Sequence, residues 1–224
     1  MVTYRIDTTS LREVPQDVAA VWEHVEQLER RGPAGDGERV VWLRILGALA
    51  AAERLAWTDV VRHGGPGSLD GVPRAGAPDV PSATWRPLLR LAQVLHWRRR
   101  FDAADLVVDA VRRAALAVEG RPDVDDATRR DCSAVLAFAD QGQGKVRYDA
   151  GRCADAVQLF ASALERRTRD GAPVDQVESS RIALEAAARR AGSSAAATAG
   201  TGTSPGDEDA RSVESRLWEA SAPV

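Results

Sequence analysis

The stretch "YDAGRCADAVQLFASALERR", residues 148–167, decides the fold. Gly151 falls where one apolar helical pattern stops and the next begins, and glycine accepts without steric cost the left-handed conformation common just past a helix C-terminus. Beyond it Ala156, Phe160, Ala163 and Leu164 recur at helical spacing, small residues alternating with bulk. On the incoming side Gly144 supplies another small position. The pattern predicts a tight helical hairpin: Gly144 and Ala156 face one another, Phe160 and Leu164 fill the space where the helices diverge, and Ala163 leaves room for a neighbour.

Working outward, Cys132, Val135, Leu136, Ala139 and Val146 form the inward face of the incoming helix, with Asp123 as its expected cap. Before it, Trp85, Leu88, Leu91, Ala92 and Leu95 share one face. A break near "RRRFD" separates them from Ala104, Val107, Val108, Val111, Ala115 and Val118. After the quoted stretch a weaker helix is expected from Val174 to about Arg190. At the N-terminus Asp17 can cap a helix with Val18, Val21, Trp22, Val25 and Leu28 inward. "RRGPAGDG" ends it, and a second helix carries Trp42, Ile45, Leu46, Leu49, Ala52 and Ala56. Residues 1–62 are thus expected as one antiparallel helical hairpin, with Trp22, Trp42 and Trp85 in the core.

Two segments lack helical patterning. Residues 63–84 hold five Gly and four Pro, and are expected to be a disordered connector, with a lid or binding loop as the alternative. Residues 192–224 are polar and low in complexity; they read as a disordered tail ending in a short helix around Val213, Leu217 and Trp218. The fold class is therefore all-α, with antiparallel helical hairpins over residues 85–191.

Composition narrows the function. With 224 residues, 44% hydrophobic and 28% charged, the chain is an ordinary globular sequence, and its net charge of -3 provides no global field for a polyanion, so nucleic acid is not expected as a partner. Lys145 is the only lysine; arginine supplies the remaining basic charge, as the codon bias of a GC-rich bacterial genome would produce. Cys132 and Cys153 form no CxxC pair, so zinc and dithiol frameworks are not expected. The N-terminus lacks a signal-peptide pattern and no apolar run is long enough to span a bilayer, so a cytoplasmic location is expected.

The succession of Gly144, Gly151-Arg152, Asp155-Ala156, Phe160 and Ala163-Leu164 resembles the tetratricopeptide repeat, a helix-turn-helix unit that stacks into a superhelix. Leu88, Leu91, Ala92, Leu95, Ala104, Val108 and Val111 fit the same register one hairpin earlier, so the resemblance covers residues 84–190. Asp140 and Leu88 stand where the family usually has tryptophan. They lie 52 residues apart, against about 34 in the family, which implies longer helices. The resemblance implies that the first helix of each hairpin lines a concave surface. Its lining positions fall on Arg86, Leu89, Gln93, His96 and Trp97, then on Phe138, Gln141, Lys145, Tyr148 and Asp149. Independently, Gln141, Lys145 and Tyr148 share one helix stripe by spacing. A lysine beside a tyrosine and a glutamine suits a peptide carboxylate, bound through charge-assisted hydrogen bonds.

Three other motifs have simpler readings. Asp125, Asp126 and Asp131 match the spacing of a magnesium-diphosphate motif, but at a helix start carboxylates cap exposed N–H groups. Arg98, Arg99 and Arg100, between Trp97 and Phe101, suit a helix C-terminus as well as they suit phosphate. His24, His63 and His96 match no metal or triad spacing. The expected function is a non-catalytic scaffold that needs no cofactor and binds a peptide or partner protein in a helical groove through Arg86, Gln93, His96, Trp97, Gln141, Lys145 and Tyr148, with self-association as an option. The alternatives are a helical sensor for a small ligand or nucleic acid and, more remotely, a magnesium-dependent diphosphate enzyme.

Overall fold

Eight helices and one two-stranded β-hairpin make up the described part of the chain, residues 2–76 and 79–200 of a computed structural model. In order these are β1 (Tyr4–Ile6), β2 (Glu13–Pro15), α1 (Val18–Arg30), α2 (Pro33–Ile45), α3 (Leu49–Arg62), α4 (Trp85–Trp97), α5 (Phe101–Glu119), α6 (Asp126–Asp149), α7 (Cys153–Arg169) and α8 (Val174–Gly200). Each helix packs on the next, and α2 touches α4, α4 touches α6, and α6 touches α8. The helices therefore stack as antiparallel hairpins in a short solenoid with α2, α4, α6 and α8 forming one row. The expected final helix runs on to Gly200, and the segment carrying Val213, Leu217 and Trp218 lies outside the described residues.

Local chemistry sets the boundaries. Asp17 Oδ1 accepts from the Ala20 amide to cap α1. For α6 the cap is Asp125 rather than Asp123: its Oδ1 accepts from the Thr128 amide at 2.7 Å, whereas Asp123 pairs with Arg121. At the hairpin turn Gly151 has φ +77°, and the Arg152 amide reaches back to the Arg147 carbonyl at 2.8 Å, closing α6 in the expected manner. The close approach of α6 and α7 involves a different pair. A Cβ on Gly144 would lie 2.5 Å from the Phe160 ring, so the glycine makes room for that ring rather than meeting Ala156.

The N-terminal region departs further from expectation. Its second apolar pattern is split by Gly47, at φ +78°, into α2 and α3, and the Gly/Pro stretch begins α2 at Pro33 instead of forming a loop. Residues 18–62 are three helices, not two. Trp22 is exposed, because α1 packs chiefly on α2 and buries just Val21, Val25 and Leu28, whereas Trp42 and Trp85 are buried as expected. The Gly/Pro loop is tied down: Val72 and Val80 join the main core, and Arg113 of α5 donates to the Pro73 carbonyl at 2.7 Å.

Two apolar cores result. The larger joins α1 through α6 around Leu28, Leu88, Leu91, Leu95, Val107, Val111 and Leu136. The smaller lies among α6, α7 and α8 and consists of Tyr148, Cys153, Ala156, Phe160, Ala183, Ala186, Ala187 and one residue from outside the helices, Leu11.

Candidate functional site

Residues 2–16 form a strap that no period in the sequence announced. β1 and β2 pair antiparallel with Arg5 opposite Val14, and the connecting turn is closed by Asp7, whose Oδ1 accepts from the Thr9 and Ser10 amides and the Ser10 hydroxyl. Those bonds hold the Asp7 carboxyl below the usual carboxylate range. At the end of the turn Leu11 adopts φ +55°, a left-handed conformation that costs a non-glycine residue energy, and its side chain is 1% exposed.

The strap lies across the C-terminal ends of α2, α4 and α6 and beside the middle of α8, where four of the expected binding residues stand. Lys145 Nζ donates to Glu13 Oε1 at 2.8 Å, and Arg44 of α2 donates to Glu13 Oε2 at 2.9 Å. Glu13 and Lys145 side chains are each 11% exposed, and Arg44 only 3%. Burial alone would raise the Glu13 carboxyl, but the two cations and their hydrogen bonds outweigh it and hold the group far below its ordinary value. Tyr148 donates its hydroxyl to the Thr9 carbonyl at 2.9 Å, and Arg190 of α8 stacks on its ring. Arg12 and Arg44 both place guanidinium groups on the Trp97 ring, at 5.0 and 4.8 Å from its centroid.

Deeper in, His96 is 5% exposed and its Nε2–H donates to Asp149 at 3.0 Å, with Arg12 3.9 Å from the same carboxylate. Burial dominates at His96 and pushes it below its ordinary 6.5, against the pull of Asp149 and with the help of Lys145 and Arg44, so the ring is neutral at pH 7. Gln141 turns away from the strap. Its Oε1 accepts from Ser180 of α8 at 2.9 Å, Ser180 in turn accepts from Arg167, and Gln141 Nε2 is buried without a partner.

Of the expected binding residues, the structure thus gathers His96, Trp97, Lys145 and Tyr148 against the strap, three of them buried instead of lining an open groove. Gln141 belongs to a buried α6–α8 link. Gln93, with Leu89 and Phe138, borders a cavity of about 10 Å³ between helices, room for little more than one water. Arg86 stands apart, pairing with Asp131 of α6 at 2.6 Å. It opens onto a second cavity of about 280 Å³ with Leu89, Arg90, Val135, Phe138 and Gln176, at the N-terminal ends of α4, α6 and α8. The row of helices therefore presents one filled end, under the strap, and one open end.

Sequence reasoning missed Leu11, Arg12, Glu13 and Arg44. The only hint of them was the polarity of the Lys145 stripe, which asked for a carboxylate without saying whose. The remaining motifs are occupied locally. Asp125 caps α6 and Asp131 binds Arg86. Arg98 and Arg100 both pair with Glu53 of α3, and Arg99 lies over Phe101. Among the described residues no group of three or more His, Cys, Asp or Glu side chains is placed to hold a metal, and no helix is long and apolar enough to cross a membrane. Comparison with protein-family models, curated proteins and solved structures returns no match.

Proposed function

We propose that this protein is a tetratricopeptide-like interaction scaffold whose row of α2, α4, α6 and α8 receives an extended segment of a peptide or partner protein. The observation that supports this reading is the strap: a chain segment with little regular structure is held on that row by a carboxylate between Lys145 and Arg44, a carbonyl on the Tyr148 hydroxyl, an arginine on Trp97 and a leucine in an alanine-lined socket. Charge, hydrogen bond, aromatic face and apolar socket are the four elements by which helical grooves read extended peptides. The cavity beside Arg86 extends the same row and carries a cation at its mouth.

The test uses immobilised full-length protein, charge-reversed separately at the open end (Arg86→Glu) and at the filled end (Lys145→Glu). Partners retained by the wild type are expected to be lost from at least one variant while circular dichroism stays helical. Recovery of an identical partner set from all three proteins would overturn the assignment.

A further inference from the structure

We infer that the strap is a displaceable occupant of the groove, and that the partner which replaces it presents a leucine followed two residues later by a carboxylate, the pattern of Leu11 and Glu13. The inference rests on the groove reading above and adds to it a gate and a specificity.

Displaceability follows from how the strap is held. Its strands are three residues each, and an isolated two-stranded hairpin is at best marginally stable in water, so the strap persists only through docking. Leu11 is its one buried apolar side chain; Tyr4, Arg5, Thr8 and Thr9 are exposed. Its main polar anchor is a desolvated ion triad, a kind of contact whose attraction is largely offset by the cost of removing the charges from water. Leu11 also sits in a left-handed conformation that release would relax.

Specificity follows from what release would leave behind. The smaller core would lose one of its few bulky side chains and leave the place of a leucine in a cluster that holds Ala156, Ala183, Ala186 and Ala187. Lys145 and Arg44, converging on one point, would stand together without their anion, an arrangement that favours a carboxylate and disfavours a cation there. The spacing between socket and cation pair is set by the strap itself, as the distance along the chain from Leu11 to Glu13. An acidic, leucine-bearing extended segment meets both requirements; a basic one fails at the cation pair.

The strap's own sequence is the probe. A fluorescein-labelled peptide of residues 2–16 is titrated into full-length wild type and into a full-length L11S/E13Q chain, whose strap lacks both anchors. Because a closed groove lowers apparent affinity in proportion to the open fraction, binding to L11S/E13Q is expected to be at least about ten-fold tighter than to wild type. A peptide carrying E13Q is expected to lose that binding. Equal binding of the labelled peptide to both proteins would overturn the gate while leaving the groove intact. Absence of binding to a folded L11S/E13Q chain would overturn the groove reading as well. Should that variant fail to fold, amide exchange in wild type decides: Asp7, Leu11 and Gln16 amides are expected to exchange at least about ten-fold faster than those of residues 133–146. Matching rates would show that the strap leaves only with global unfolding and would overturn the inference. A wild-type dimer that exchanges straps between copies would overturn the assignment of the occupant to its own chain.

Discussion

The two cores of this molecule are built on different principles. The larger is filled mainly from the helices, by leucines and valines of α1 through α6, with Val72 and Val80 added from the loop. The smaller is lined mostly by alanines of α7 and α8, and its bulk comes from Phe160, Tyr148 and the borrowed Leu11. Small residues let helices approach closely but bury little apolar area, so the region that packs most tightly has the least hydrophobic stabilisation of its own. An alanine-lined layer is stable when something fills it from outside, and that dependence gives the second core a capacity for exchange that the first lacks.

The largest test of this contrast is Phe160→Ala. It removes the one fully buried ring of the smaller core and is expected to cost about 3–5 kcal/mol in urea unfolding. A loss no greater than that of an exposed substitution would mean that α7 and α8 are held by something other than this core. Next comes Gly144→Ala, whose Cβ would press into the same ring; overpacking there is expected to cost about 1–3 kcal/mol, and Phe160→Leu in the same chain should recover part of it.

A third test separates the two ends of the strap by pH. His96 has its folded pKa below the unfolded 6.5, so the unfolded chain takes up the proton first and stability falls as pH drops below about 6.5, levelling off once the folded ring also protonates. Asp149, Lys145, Arg44 and Phe101 face that ring, and Arg12 lies 3.9 Å from the Asp149 carboxylate. Glu13 acts in the same direction but in a more acidic window. Its contribution is fully present above the ordinary carboxylate value of 4.5 and is lost only as pH falls through its much lower folded value, so the triad outlasts His96 in acid. Thermal melts between pH 7 and 5 should show a decline that His96→Gln flattens and Glu13→Gln does not. The smallest expected effect is a gain. Arg99 holds φ +60° in the α4–α5 turn, where glycine fits without strain, so Arg99→Gly should stabilise by about 0.5–1 kcal/mol less whatever its stacking on Phe101 contributes.

What was legible in the sequence follows from the range over which its signals act. Helices α4 to α7 announced themselves because Leu88, Leu91 and Leu95, or Val107, Val111 and Ala115, repeat at the helical period within a few turns. Gly47 escaped notice because Ile45, Leu46, Leu49 and Ala52 keep that period on both sides of the break. Asp140, an acid at a helix position facing its neighbours, is satisfied by Arg112 of α5 at 2.6 Å and Ser162 of α7 at 2.7 Å, which no local pattern foretells. The strap was hidden for a stronger reason. Three-residue strands containing "YRI" and "EVP" have no alternation to read, and Glu13 finds Lys145 across most of the chain. Of the stripe of Gln141, Lys145 and Tyr148, only Lys145 meets a carboxylate, and that the chain provides it from Glu13 is a tertiary fact.

The two thiols divide between the two cores, Cys132 in the larger and Cys153 in the smaller, the one that Leu11 completes. An alkylating reagent in mild conditions therefore has two clocks to read in one unmodified molecule. Modification of Cys153 would time the strap's excursions, and modification of Cys132 would time the loss of the whole fold.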